Sequence, residues 1–145
     1  MKTRYDLPCN IAQTLNIIGD RWTLLIIHEL MIGHTTFSVI KENLTGLSSK
    51  LLSERLKHLE EAGLVHSILY SDHPPRYAYQ LTASGMALEP VFQSFIIWGQ
   101  QHLPHCYKQL VHTTCGHAVT QVCYCPNCKT ETDNVKAVAV ATNLA

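Results

Sequence analysis

The stretch that decides the fold is residues 47–65, which read LSSKLLSERLKHLEEAGLV. The apolar positions that recur at helical spacing are Leu52, Leu56 and Leu59. They give one apolar face to a helix from about Ser48 to Glu61, and small polar or basic side chains occupy the opposite face. Gly63 follows as a residue that ends a helix. The pattern predicts an amphipathic helix whose leucines face a core.

Outward from this helix, the sequence predicts further helices and one β-hairpin. The predicted elements are two helices within residues 8–32, the second from Arg21 to Ile32, then helices 36–44 and 48–61, strands 64–70 and 77–81, and a helix over 83–101. Residues 71–76, with Pro74 and Pro75, form the polar hairpin tip, and Pro90 is expected to kink the last helix or begin a new one. This order is that of a winged helix-turn-helix, a mostly α fold of the α+β class.

In such a fold the second helix of the helix-turn-helix enters the DNA major groove, which is wide enough to admit it. The predicted DNA contacts are Ser48, Ser49, Lys50, Ser53, Arg55 and Lys57 on the helix, with His73 and Arg76 at the hairpin tip. The serines lie where free N–H groups and the helix dipole favour a phosphate. A charged amphipathic helix alone is more typical of a solvated surface. It is the combination with the turn and the hairpin that indicates DNA binding.

The charge balance is unusual for a nucleic-acid-binding protein. The formal net charge is zero, and residues 1–104 hold eight Lys or Arg against nine Asp or Glu. Since non-specific DNA affinity comes from neutralised phosphates, such a chain must concentrate positive charge on one face and use two copies. The neutral charge also leaves open an alternative function, a module that contacts protein instead of DNA.

Three segments together resemble the HxlR family of prokaryotic transcription regulators. The first segment is residues 9–30, which begins with CN and contains GDRWTLLI. The second is the stretch 47–65, and the third is PPRYAYQLTASG over residues 74–85. The resemblance covers residues 7–102. It implies a homodimer, joined through the first and last helices, that binds an inverted-repeat operator in double-stranded DNA as repressor or activator. The effector stays unknown.

The resemblance also implies a sensor at Cys9, because some family members use a cysteine there to detect electrophiles, quinones or oxidants. A thiol near a helix N-terminus favours its thiolate, which is the reactive form. The alternative is a buried structural cysteine, and Asn10 stands where many relatives have proline. A redox-responsive or metal-responsive regulator is therefore the second candidate function.

A cysteine-rich tail follows residue 104, so we expect two domains, residues 1–104 and 105–145. Cys125 and Cys128 form a C-x-x-C knuckle, and His112 and Cys115 offer a second pair, so these four are the predicted ligands of one structural Zn²⁺ in a zinc-ribbon-like extension. His117 is the alternative histidine. A dithiol that undergoes oxidation without any metal is the other interpretation of the same spacing.

Several function classes are disfavoured by the sequence. No apolar run is long enough to cross a membrane, and the N-terminus lacks a signal-peptide pattern, so we expect a cytoplasmic protein. The nine histidines form no Ser/His/Asp pattern, and there is no phosphate-binding glycine loop. We therefore expect no enzyme activity.

Overall fold

A computed structural model describes residues 4–140. The elements in chain order are α1 (Asn10–Ile18), α2 (Thr23–Met31), α3 (Phe37–Asn43), α4 (Ser49–Glu61), β1 (Val65–Asp72), β2 (Pro75–Leu81), α5 (Ala83–Met86), α6 (Glu89–His102), β3 (Cys123–Cys125) and β4 (Thr130–Thr132). No helix among residues 4–140 is both long and apolar enough to span a membrane.

The described part of the chain divides into two compact units, residues 4–92 and 93–140. The sequence places the boundary at residue 104, near the end of α6, where the composition changes. The structural division falls inside α6 instead, because the second half of that helix groups with the tail. Each unit is described separately below.

The first unit is built around an apolar core from α1 to α4 and the start of β1. The fully buried side chains include Ile26 and Ile27 of α2, Ile40 of α3, Leu47 of the turn, and Leu52, Leu56 and Leu59 of α4. The three leucines of α4 that the sequence places inward are therefore buried as predicted. This packing anchors α4 through one face and leaves the opposite face to solvent.

The turn between α3 and α4 depends on Gly46, whose φ is +95°. A side chain at that position would be strained in this left-handed conformation. Leu47 follows it and is buried, and Ser48 then caps α4 by accepting a hydrogen bond from the Leu51 N–H at 3.1 Å. The predicted range of α4, 48–61, therefore differs from the observed helix by one residue at its start.

The start of α2 lies two residues later than predicted, at Thr23 instead of Arg21. The N-cap position of α2 is Trp22, and Asp20 lies before it, where its Oδ1 accepts from the N–H groups of Trp22 at 2.9 Å and Thr23 at 3.1 Å. The first turn is thus held by the Asp20 side chain before the regular helix begins.

The hairpin β1–β2 is antiparallel and longer than predicted, because its pairing continues to Asp72 opposite Pro75. The prediction kept both prolines out of the ladder. Pro75 begins β2, a position that tolerates its missing N–H. The hairpin is also joined to the start of α3, since the Tyr79 N–H donates to the Thr35 carbonyl at 2.8 Å and Thr36 pairs with Ala78.

The segment predicted as one helix over 83–101 is two helices, α5 and α6. Pro90 lies in the first turn of α6, where a residue without an N–H is tolerated. Of the two outcomes expected for Pro90, a kink or a new start, the structure has the new start.

The second unit contains two short hairpins. In the first, Val111 pairs with Ala118, and in the second, β3 pairs with β4 through Cys123–Thr132 and Cys125–Thr130. Residues 135–140 are rich in valine, which favours a strand, but this segment has no regular structure.

Candidate nucleic-acid interface

Helix α4 presents the first part of the interface. Ser49, Lys50 and Ser53 are exposed on its N-terminal half, while Leu52 is fully buried beneath them. Lys57 is exposed one turn further on. Four of the predicted contact residues are therefore available to a ligand on a helix whose other face is fixed in the core.

Ser48 has a local role as well as its predicted one. Its Oγ accepts the Leu51 N–H, which satisfies one of the free donors at the start of α4. The remaining N–H groups of this first turn and the positive end of the helix dipole are directed toward the exposed end of α4. A phosphate placed there would meet favourable partial charges.

Arg55 lies in a different environment from the other predicted contacts. Its side chain is 15% exposed, and its Nε is 3.2 Å from Oδ1 of Asp20, whose side chain is 6% exposed. The guanidinium is therefore engaged at the start of α2 and is not presented on the exposed face of α4 with Lys50 and Ser53. The predicted contact between Arg55 and a base edge is not the role that this geometry favours.

The carboxyl group of Asp20 is adapted to this partner. Burial alone raises the pKa of Asp20, but hydrogen bonds from Thr23 and Trp22 and the charge of Arg55 together lower it below its ordinary value. The Thr23 hydroxyl, which donates to Asp20, is itself fully buried. Asp20 is therefore a stable negative partner for Arg55 at neutral pH.

The hairpin supplies the second part of the interface. His73 and Arg76 are exposed at its tip, as predicted. A cleft of about 630 Å³ lies between α3, α4 and the hairpin, and both Ser53 and Arg76 line it together with Tyr70 and Tyr77. The structure thus brings a predicted helix contact and a predicted hairpin contact to one continuous surface.

Glu60 is an acid on α4, where a free carboxylate would repel DNA phosphates, and it is directed to the base of the hairpin. Its Oε1 accepts from the Ser67 N–H at 3.2 Å and from the Ser67 Oγ at 2.8 Å. This carboxylate therefore joins α4 to β1. The geometry removes part of the conflict between the acidic residues of α4 and a DNA phosphate.

Sequence reasoning missed two features of this surface. Tyr70, Tyr77 and Ser38 line the cleft although no pattern marked them. The pairing of Asp20 with Arg55 was also missed, because it joins residues that are far apart in the chain. Nothing in the spacing of Asp20 and Arg55 along the sequence indicated this contact.

Cys9 is exposed and immediately precedes α1 as its N-cap residue. The alternative of a buried structural cysteine is therefore wrong. The described geometry leaves the thiol accessible to a reagent, and its sensing role stays a prediction.

The predicted zinc ligands occur as two pairs. His112 Nδ1 and Cys115 Sγ are 3.4 Å apart in the first hairpin. In the second, the Cys128 N–H donates to Cys125 Sγ at 3.4 Å. Backbone N–H groups of Cys128 and Asn127 lower the pKa of the Cys125 thiol.

These pairs do not make the predicted metal site. Within residues 4–140 no three His, Cys, Asp or Glu side chains come together in a way that could hold a metal ion. The geometry does not supply the four-ligand zinc site that the spacing predicts. Zinc binding stays a prediction, which elemental analysis of the purified protein tests.

The exposed half of α4, the turn before it and the adjoining hairpin define a winged helix-turn-helix protein. A family model described as HxlR-like helix-turn-helix matches residues 17–107. The chain belongs to this family, and it is a DNA-binding transcriptional regulator of the HxlR type.

Individual proteins agree with this assignment. The chain is 34% identical over 125 residues to the HTH-type transcriptional regulator Rv3095 of Mycobacterium tuberculosis, covering 84% of this chain and 78% of that protein. It is 41% identical over 91 residues to the HTH-type transcriptional regulator YodB of Bacillus subtilis, and this match covers 63% of this chain and 81% of YodB. Its fold is similar to the crystal structure of the transcription factor PA1607, with a TM-score of 0.75 and 25% sequence identity. This match covers 92% of this chain and 96% of PA1607.

Proposed function

We propose that two copies of this chain bind an inverted-repeat operator, each with α4 in the major groove and the β1–β2 hairpin against the DNA backbone. The observation that carries the proposal is the exposed N-terminal half of α4 above a fully buried leucine face. A recognition helix needs this combination, because it must be held rigidly on one side while its other side contacts base edges.

The proposed contacts divide by chemistry. Lys50 and Ser53 are placed for base edges or adjacent phosphates, and Ser48 and Ser49 for a phosphate at the helix N-terminus. Lys57 and the hairpin residues His73 and Arg76 are placed for the backbone. Phosphate contacts of this kind fix the position of the protein, and base contacts supply sequence preference.

The proposed dimer uses α1 and α6. Helix α6 has no buried residue in the isolated chain, and its Phe95 and Trp98 are 62% and 61% exposed. On α1, Ile11 and Leu15 are also exposed. Apolar helices that lack cover within one chain are typical of surfaces buried by a second copy.

Analytical ultracentrifugation tests the dimer. We expect a dimer at micromolar concentration, and a monomer for the variant Phe95→Ala/Trp98→Ala. Tyr107→Ala is the matched control, because Tyr107 is an exposed aromatic residue outside α6. A monomeric parent protein, or a double variant that still forms a dimer, would contradict this part of the proposal.

Selection from randomised duplex DNA tests the operator. We expect recovered sequences with two inverted half-sites about one helical turn, or roughly 34 Å, apart, because dimeric helix-turn-helix proteins reach two successive major grooves on one side of the duplex. Recovery of no preferred sequence at low salt would contradict the proposal and favour the alternative of a protein-contacting module.

We further propose that the protein works in the cytoplasm, where a regulator of prokaryotic genes meets its DNA, and that it has no catalytic role of its own. Both statements rest on the relationship to transcriptional regulators.

A further inference from the structure

Two side chains of α4 reach inward to the connection between α1 and α2, residues 17–23, which we term the α1–α2 corner. Arg55 pairs with Asp20 at 3.2 Å. One turn further along α4, His58 Nε2 lies 3.0 Å from the Ile17 carbonyl oxygen. Because a carbonyl only accepts, His58 donates in this contact. Helix α4 is therefore attached to the corner at two points.

The α1–α2 corner is a firm support for these attachments. Gly19 is closely packed, since a Cβ at that position would lie 2.4 Å from the Leu15 carbonyl oxygen. Asp20 accepts from two backbone N–H groups and from the hydroxyl of the fully buried Thr23. The carboxylate that meets Arg55 is thus held from several directions and has little freedom to follow a moving helix.

We propose that Asp20 and Arg55 form a positioning pair that fixes the direction of α4, so that Arg55 supports DNA binding without touching DNA. The pair is largely shielded from solvent, so dissolved salt screens it less than a surface ion pair. It lies on the side of α4 away from Lys50 and Ser53, the residues that it would present. The inference rests on the proposed use of α4 as the recognition helix.

Asp20→Asn separates positioning from direct contact, because the two roles predict opposite signs. Asparagine keeps an acceptor for the Trp22 and Thr23 N–H groups but removes the charge that holds Arg55. If Arg55 contacted DNA directly, releasing it and removing a negative charge would leave binding equal or tighter. If the pair positions α4, binding must weaken, and we expect Kd to rise about tenfold.

The measurement is fluorescence anisotropy with the duplex recovered by selection, at a temperature where circular dichroism shows every variant folded. Glu42→Gln is the charge-matched control, since Glu42 is an exposed acid of α3 in the same unit, and we expect its Kd to stay near the parent value or fall. Asp20→Asn/Arg55→Met should bind no more weakly than Arg55→Met alone, because both changes break one pair. Binding by Asp20→Asn that equals or exceeds the parent would overturn the proposal, as would additive losses in the double variant.

Arg55→Met gives a second readout that remains if Asp20→Asn fails to fold. A lost phosphate contact in each protomer would reduce the slope of log K against log salt by about 2 for the dimer. A lost positioning residue weakens binding by a similar factor at each salt concentration and leaves the slope near the parent value. A slope reduced by about 2 would show that Arg55 contacts phosphate and would overturn the proposal.

Lys50→Ala distinguishes failure of this inference from failure of the proposed function. If Lys50→Ala weakens binding and Asp20→Asn does not, α4 is the recognition helix and only the positioning pair is wrong. If neither variant changes Kd, the assignment of α4 itself is wrong, and the positioning proposal falls with it.

Discussion

The dependence of DNA affinity on salt concentration should identify which cations of this neutral chain contact phosphate. The exposed cations on the proposed interface are Lys50, Lys57 and Arg76, while Arg55 is engaged by Asp20. A dimer would therefore make about six phosphate contacts, which predicts a slope of log K against log salt near −5. Between 50 and 200 mM KCl, affinity should fall on the order of 10³-fold.

Replacing Lys50 tests this reasoning directly. Lys50→Ala removes about two contacts from the dimer, so the slope should become shallower by about 2 and the loss over the same salt range should shrink to roughly 10²-fold. The matched control is Lys108→Ala, which removes an exposed cation outside the proposed interface and should leave the slope unchanged. The assay is anisotropy with the selected duplex at several KCl concentrations.

Two results would refute the reasoning. A parent slope close to zero would show that phosphate neutralisation does not drive binding. A Lys50→Ala slope equal to the parent slope would show that Lys50 does not neutralise a phosphate.

Three further predictions concern stability and sensing. In a urea titration, Leu56→Ala should lower the free energy of unfolding by about 2–5 kcal/mol, because the side chain is 1% exposed. The control Leu69→Ala, on an exposed part of β1, should change the free energy of unfolding by less than about 0.5 kcal/mol. Equal losses would contradict the assigned core. Although burial raises the pKa of Glu29, hydrogen bonds from Asn43 and His34 and the nearby His34 and His28 lower it overall. A lowered carboxyl pKa stabilises the fold at pH values above the ordinary pKa near 4, and this stabilisation is lost as the pH falls through the pKa of the folded state. The melting temperature of Glu29→Gln should therefore fall less between pH 6 and pH 3 than that of the parent. An equal fall in both proteins would refute this role of Glu29. Benzoquinone, which alkylates thiolates, should release DNA from the parent but not from Cys9→Ser, because Cys9 is exposed beside α1; equal release from both would exclude Cys9 as the sensor.

The sequence predicts the helices and hairpin of the first unit well, because their signals are local. The leucine spacing of α4 acts within a few residues, and the structure buries these leucines as expected. Gly46 in the turn and Ser48 as the cap, which the structure shows, are equally local. Pro90 similarly marks a helix start. Boundaries moved by one or two residues where a side-chain cap, as at Asp20, precedes the regular helix.

The site was harder to predict, because the environment of a charged side chain depends on distant residues. Arg55 and Lys50 are both cations of the same predicted helix, and the sequence does not distinguish them. In the structure Arg55 contacts Asp20, whereas Lys50 is exposed to solvent. The same limit applies to the tail. The His112–Cys115 pair and the Cys125–Cys128 pair are each local and form, whereas a four-ligand site requires the two hairpins to meet, which spacing alone does not determine.

The zero net charge is compatible with DNA binding once the partners of the acids are considered. Asp20 is held by Arg55 and backbone N–H groups, Glu29 accepts from His34 and Asn43, and Glu60 accepts from Ser67. These three carboxylates thus have partners within the first unit, Asp20 and Glu29 largely buried and Glu60 at the surface, while Lys50 and Arg76 remain exposed. Because the field at a surface depends on where charges lie and not only on their sum, internal use of acids leaves a face that can attract phosphate. It follows that freeing such an acid should harm DNA binding even when total charge is unchanged, so Ser67→Ala, which removes the hydroxyl donor of the Glu60 carboxylate, should weaken binding in the same anisotropy assay.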